Sequence, residues 1–198
     1  MMTIGITGGV GAGKSQILSY IEGHYNCKVI RADEVAHLLE EPGHTCYDRI
    51  VTFLGSTILQ ADGLIDKKKM AAVIFGDQEK LSGINAIIHP EVKKYIIEQI
   101  QKEEKAGSID FLFVEAALLI EEHYDEILDE MWYIHTDCEI RSKRLAESRQ
   151  YSAEKIADIM GRQLSEEEFR KHCSVAIINN GDLETTYRQI DEVMGERK

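Results

Sequence analysis

Shortages in the sequence narrow what the chain can do. Lys and Arg total 23 against 35 Asp and Glu, a formal net charge of −12. That balance argues against a nucleic-acid-binding surface, since phosphate contacts need clustered Lys and Arg. Any phosphate it binds must sit in a local basic pocket on an acidic body. The four cysteines, Cys27, Cys46, Cys138 and Cys173, are scattered and form no Cys-x-x-Cys pair. Neither a zinc site nor a redox motif is indicated, and buried or idle thiols are expected. No apolar run approaches the length of a bilayer, and no charged leader with an apolar stretch opens the sequence. We therefore expect a cytoplasmic protein with no membrane and no nucleic-acid partner. Internal repeats and low-complexity tracts are missing. At 198 residues one core with a small added lobe is expected, rather than two independent domains.

What is present starts at the amino terminus. Gly8-Gly9-Val10-Gly11-Ala12-Gly13-Lys14-Ser15 follows the apolar run Met2 to Thr7 and has the spacing of a phosphate-binding loop between a strand and a helix. Glycines at Gly8, Gly11 and Gly13 let the backbone curl so that successive N–H groups turn inward around a phosphate. Lys14 brings a mobile charge for the β- and γ-phosphates. Ser15 offers a hydroxyl to Mg²⁺, and the helix that starts near Lys14 adds the positive end of its dipole. A nucleoside triphosphate is the ligand this segment suits.

Apolar runs at Ile4–Thr7, Lys28–Ile30, Asp110–Val114, Met131–His135 and Val175–Ile178 read as strands separated by segments of helical spacing. Such alternation predicts an α/β fold with a five-stranded parallel sheet between helices. Helices are expected at Lys14–Glu22, Glu34–Leu39, Tyr47–Leu54, Lys67–Phe75, Gln78–Lys105, Cys138–Ser148, Ala153–Gly161, Glu166–His172 and Leu183–Met194. The stretch between the second and third strands is too long for one crossover helix. It predicts a helical lobe over about residues 42–107, with a helix break at His89-Pro90. The core then comprises about 1–41, 108–136 and 173–198, and residues 137–172 form a lid.

In doubly wound folds ligands gather at the carboxyl ends of the strands. Asp33, just after the second strand, is placed to hold or deprotonate an acceptor hydroxyl; it also suits the N-cap of the following helix. Glu115 ends the third strand and is either an organiser of Mg²⁺ or a solvated carboxylate. Arg141, Lys143, Arg144 and Arg149 lie on or beside one helix, with Arg141 and Arg144 on a common face. They form either a cationic lid over the migrating phosphoryl group or a solvated basic face. His89-Pro90 reads equally as a helix boundary and as part of a site.

These segments together resemble the dephospho-coenzyme A kinase family over nearly the whole chain. The resemblance rests on Ile6 to Ser15, on Val29-Ile30-Arg31-Ala32-Asp33, and on Glu41-Pro42-Gly43, Asp62 to Lys67, Ile88-His89-Pro90, Leu118 to Glu121 and Ile178-Asn179-Asn180-Gly181, in that order. It implies a three-layer P-loop fold, a helical acceptor lobe and a lid. It also implies ATP-dependent phosphorylation of the ribose 3′-hydroxyl of dephospho-coenzyme A with Mg²⁺, by a monomer or weak homo-oligomer. Carried over, Gly8, Gly11, Ala12, Gly13, Lys14, Ser15 and Gln16 hold ATP, with Asn180 near the adenine. Asp33 serves the acceptor hydroxyl, Arg144 and Arg149 belong to the lid, and Lys67, His89 and Glu115 contact the acceptor. This chain departs from the family at Arg31, where Asp is usual, at Gln16 for Thr, at Lys67 for Arg, and at Ala117 for Pro. A GTP-binding switch would carry an Asn-Lys-x-Asp segment, and none occurs.

Overall fold

The fold follows from five short strands, of which the three central ones bury both of their faces while the two edge strands are half-buried. A computed structural model describes residues 1–197. Its strands are β1 (Met2–Thr7), β2 (Cys27–Arg31), β3 (Phe111–Glu115), β4 (Glu130–His135) and β5 (Val175–Ile178). They make one sheet of order β2-β3-β1-β4-β5. β1 pairs in parallel with β3 and β4, and β4 with β5. Alternate side chains explain the unbroken apolar runs. Ile4, Ile6, Phe111, Phe113, Trp132, Ile134 and Ile177 meet Ile17, Leu18 and Ile21 of α1 (Lys14–His24) and Ile190 and Met194 of α9 (Leu183–Gly195). The opposite face, around Gly5, leaves no room for a side chain there: a Cβ would come within 2.9 Å of Leu128 and 3.0 Å of Leu119. On that same face Tyr133 stacks on Phe169 of α8 (Glu166–His172), with ring centroids 4.7 Å apart.

The chain divides into two compact units, residues 1–29 with 107–198, and residues 30–106. Besides β1, β3, β4, β5, α1 and α9, the first unit contains α6 (Cys138–Arg149), α7 (Ala153–Gly161) and α8. The second unit contains α2 (Ala32–Leu39), α3 (Thr45–Leu54), a 3-10 turn (Ser56–Ile58), α4 (Lys67–Ile74) and α5 (Gln78–Ala106). Its core is Cys46, Ile50, Ile58, Ile65, Ile84 and Ile87.

Two local expectations need correction. α5 runs through His89-Pro90 without a break. The proline forfeits one hydrogen bond, to the Ala86 carbonyl, but Ala86 and Pro90 both lie on the exposed side, where water can serve that oxygen. Ile84, Ile87, Val92, Ile96 and Ile100 stay buried on either side of it. Asp33 does not cap its helix either: α2 begins at Ala32 with Arg31 in the cap position, and Asp33 sits in the first turn.

Candidate active site

Register places the site. Ile6 of β1 lies opposite Glu115 of β3, so the carboxylate stands one residue before the chain leaves the sheet as the loop Gly8–Ser15. Gly8, Gly11 and Gly13 take φ of 145°, 84° and 89°, conformations that side chains oppose. At Gly8 a Cβ would also come within 2.5 Å of the Ile134 carbonyl oxygen. The loop closes on itself through Ala12 N–H donating to Gly9 O, and passes into α1 through Gln16 and Ile17 N–H donating to Gly13 O. Lys14 folds back across it. Its ammonium donates to Gly8 O at 2.8 Å and lies 3.6 Å from Glu115 Oε1. Both side chains are largely sheltered, so water screens this pair less than a surface ion pair.

Above the loop lies α6. Arg141 donates through Nη1 to Gln163 Oε1 at 2.9 Å, and Arg144 through Nη2 to Asn179 O at 3.0 Å. A Cβ on Gly9 would collide with the Arg141 guanidinium, which places that group against the loop. Arg141 Nη2 donates to Cys138 Sγ at 3.6 Å, whereas Arg141 Nε and Arg144 Nη1 are buried without a partner among the described residues, as is Thr7 Oγ1 at the end of β1. Buried donors are ordinarily satisfied. Unpaired guanidinium nitrogens beside a curled glycine loop fit an anionic ligand, and a triphosphate supplies the oxygens.

Beneath the loop, Asn179 Nδ2 donates to Ala12 O at 2.7 Å, and Thr136 Oγ1 lies 3.1 Å from the same oxygen. Next to them Asn180 Oδ1 accepts the Asp137 N–H at 2.9 Å, and Asp137 accepts from His135 Nε2 at 3.0 Å. Hydrogen bonding from Asn180 first, then from His135, holds the Asp137 carboxyl below the usual carboxylate range.

The structure thus brings Gly8, Gly11, Ala12, Gly13, Lys14, Glu115 and Arg144 together, with Asn180 two residues past β5. Ser15 and Gln16 are exposed on the first turn of α1. Arg149, the last residue of α6, is exposed, with its guanidinium carbon 6.0 Å from the Tyr151 ring centroid. In the second unit Asp33 and Lys67 are exposed, on the first turns of α2 and α4, and His89 is half-buried in α5. There the Glu40 carboxyl is pushed up by burial, an effect that Lys67 and His37 oppose. Sequence reasoning missed Thr136, Asn179 and Gln163. The first two lie just past β4 and β5, where the rule of strand ends would have found them; Gln163 had no local signal.

A family model described as dephospho-CoA kinase matches residues 2–185. A dephospho-CoA kinase of Carboxydothermus hydrogenoformans is 35% identical over 195 residues, covering 98% of this chain and 94% of that protein. Another, of Listeria monocytogenes, is 34% identical over 188 residues, 95% of this chain and 93% of that one. Among solved structures, TT1252 from Thermus thermophilus superimposes with a TM-score of 0.80 at 26% identity, over 98% of this chain and 97% of that one. The dephospho-CoA kinase of Campylobacter jejuni, with TM-score 0.68, 23% identity and 99% and 97% coverage, shares the fold. So does a shikimate kinase from Acinetobacter baumannii in complex with shikimate, with TM-score 0.53, 12% identity and 99% and 94% coverage. The expected α/β P-loop architecture is therefore the one observed. Among the described residues no helix is long and apolar enough to cross a membrane.

Proposed function

The chain belongs to the dephospho-CoA kinase family, and from that premise we propose how its own residues move the γ-phosphoryl group of ATP onto the 3′-hydroxyl of dephospho-coenzyme A, giving coenzyme A and ADP. The observation that carries the reading is the pair of buried, unpartnered nitrogens Arg141 Nε and Arg144 Nη1 beside the loop.

Phosphoryl transfer asks a protein mainly to position groups and to stabilise charge on the equatorial oxygens. The loop from Gly8 to Ser15 and the start of α1 at Gln16 cradle the phosphates. Lys14 leaves Gly8 O and Glu115 for the β- and γ-oxygens, exchanging one carbonyl and one carboxylate for phosphate. Arg141 and Arg144 meet the remaining phosphate charge from above. Asp33 accepts the proton of the 3′-hydroxyl as its oxygen bonds to the γ-phosphorus and the bond to ADP breaks. Asn180 lies near the adenine, Arg149 joins the lid of residues 137–172, and Lys67 and His89 serve the acceptor in the helical unit. Ser15 Oγ and Glu115 are hard oxygen donors that suit Mg²⁺, which keeps several waters and needs only one or two protein ligands. When bound, Mg²⁺ supplies neutralisation of charge on the β- and γ-phosphates.

The test is direct. ATP, Mg²⁺ and dephospho-coenzyme A should give ADP and one 3′-phosphorylated product in equal amounts, read by coupled assay and mass spectrometry. ADP release that ignores dephospho-coenzyme A, or that shikimate elicits instead, overturns the proposal.

A further inference from the structure

We infer that Asn179 is a positioning residue of the phosphate-binding loop, holding the Ala12 carbonyl outward so that the Gly13 N–H faces the phosphate. The inference rests on the reading of that loop as the ATP site and adds a residue to it.

The side chain of Asn179 is fully buried, and every polar group of the residue is engaged. Its Nδ2 donates to Ala12 O at 2.7 Å. Its Oδ1 accepts from Thr186 Oγ1 of α9 at 3.1 Å. The backbone N–H donates to His135 O at 2.8 Å. The backbone carbonyl accepts from Arg144 Nη2 at 3.0 Å and lies 3.1 Å from Thr136 Oγ1. That hydroxyl is equally 3.1 Å from Ala12 O, so its one proton can serve either oxygen.

Ala12 C=O and Gly13 N–H belong to one peptide unit. Among the described residues no peptide bond is cis, and in a planar trans peptide the C=O and N–H point in opposite directions. Fixing the carbonyl against Asn179, on the sheet side, therefore turns the Gly13 N–H into the hollow of the loop. The amide lies so close that a Cβ on Gly13 would collide with Asn179 Nδ2. The Ala12 carbonyl, which can only accept, sets which end of the amide faces the loop. Thr186 Oγ1, 3.1 Å from Asn179 Oδ1, 3.3 Å from Asp182 O and 3.4 Å from Ile178 O, has one proton for the three. Asn179 also seats Arg144 over the loop through its carbonyl. One buried side chain thus orients a phosphate donor, while its main chain orients a cation.

Calorimetric titration with ADP, together with steady-state kinetics of the full-length enzyme, tests this. Asn179→Asp sets a carboxylate against the Ala12 oxygen. It should weaken ADP binding and raise KM for ATP by about tenfold or more, with KM for dephospho-coenzyme A within about twofold; tenfold corresponds to about 1.4 kcal/mol. Thr136→Val should shift both in the same direction by roughly threefold, the scale of one neutral hydrogen bond, and Thr136→Ser should restore them. Should Asn179→Asp not fold, the Thr136 pair decides. Folded variants with a lowered Tm but unchanged ADP affinity and KM for ATP overturn the inference, leaving Asn179 a packing residue. Failure of the unmodified enzyme to bind ADP overturns the functional reading, and the inference with it.

Discussion

Replacing Gly9 by alanine would test the placement of Arg141 without touching Arg141 itself. Gly9 is buried, but its φ lies outside the left-handed region that Gly8, Gly11 and Gly13 occupy, so the backbone accepts alanine. The obstacle is the Arg141 guanidinium, with which the new methyl would collide, and beyond it Gln163 Oε1 at 2.9 Å. Because the obstructing atoms end a flexible side chain, the guanidinium moves and the loop does not. The hydrogen bond from Arg141 Nη1 to Gln163 Oε1 is lost. A hydrogen bond to a charged group contributes about 1.5–3 kcal/mol; if that much seating energy is used in transfer, kcat/KM falls roughly ten- to a hundredfold at 1.36 kcal/mol per decade. Tm should fall by only a few degrees. The assay is coupled ADP release for Gly9→Ala, Arg141→Ala and the double variant. Both single changes disable one group, so the double variant should lose little more than Arg141→Ala alone. Two results refute the reasoning: activity of Gly9→Ala within twofold of the unmodified enzyme, or losses that multiply.

Other substitutions separate roles. Lys14→Ala and Asp33→Asn should each cut kcat by about a hundredfold or more, the scale of about 3 kcal/mol for one oriented group, but only Lys14→Ala should weaken ATP binding by calorimetry; equal weakening in both contradicts the assigned roles. Glu40, raised by burial above its ordinary value of 4.5, keeps a proton in the folded state that the unfolded chain has already lost. Its contribution is therefore full below that ordinary value and is lost as pH rises through the raised one, so Glu40→Gln should raise Tm at pH 8 more than at pH 4. Asp137 has the opposite sign: its carboxyl is depressed, its contribution is present above the ordinary carboxylate value and fades as pH falls through the folded one. In thermal melts Asp137→Asn should flatten that acid limb. Gly5→Ala should lower stability by about 1–3 kcal/mol in urea unfolding through overpacking, since the methyl meets Leu128 and Leu119.

The loop, the five strands and the family were legible in the sequence because each is written in local terms. Glycine spacing before a lysine fixes a phosphate cradle, and the apolar runs of β1, β3 and β4, buried on both faces, belong in the middle of a parallel sheet, while the half-buried runs of β2 and β5 lie at its edges. Helix ends also came close: the expected Ala153–Gly161 and Glu166–His172 match α7 and α8, whose caps Ser152 and Ser165 are local signals. What failed locally failed for a tertiary reason. Pro90 reads as a stop, yet flanking isoleucines buried along α5 hold the helix through it. Asp33 reads as a cap, yet α2 opens a residue before it.

Which polar groups meet was decided in three dimensions. Nothing near Ala12 in the sequence announces that Asn179, 167 residues away, holds its carbonyl, or that Arg141 rests on Gln163. Those pairings depend on strand order: β1 lies between β3 and β4, and β5 beside β4, which brings chain segments distant in sequence to one end of the sheet. Spacing along the chain selected the ligand class; the arrangement of strands selected the side chains that surround it.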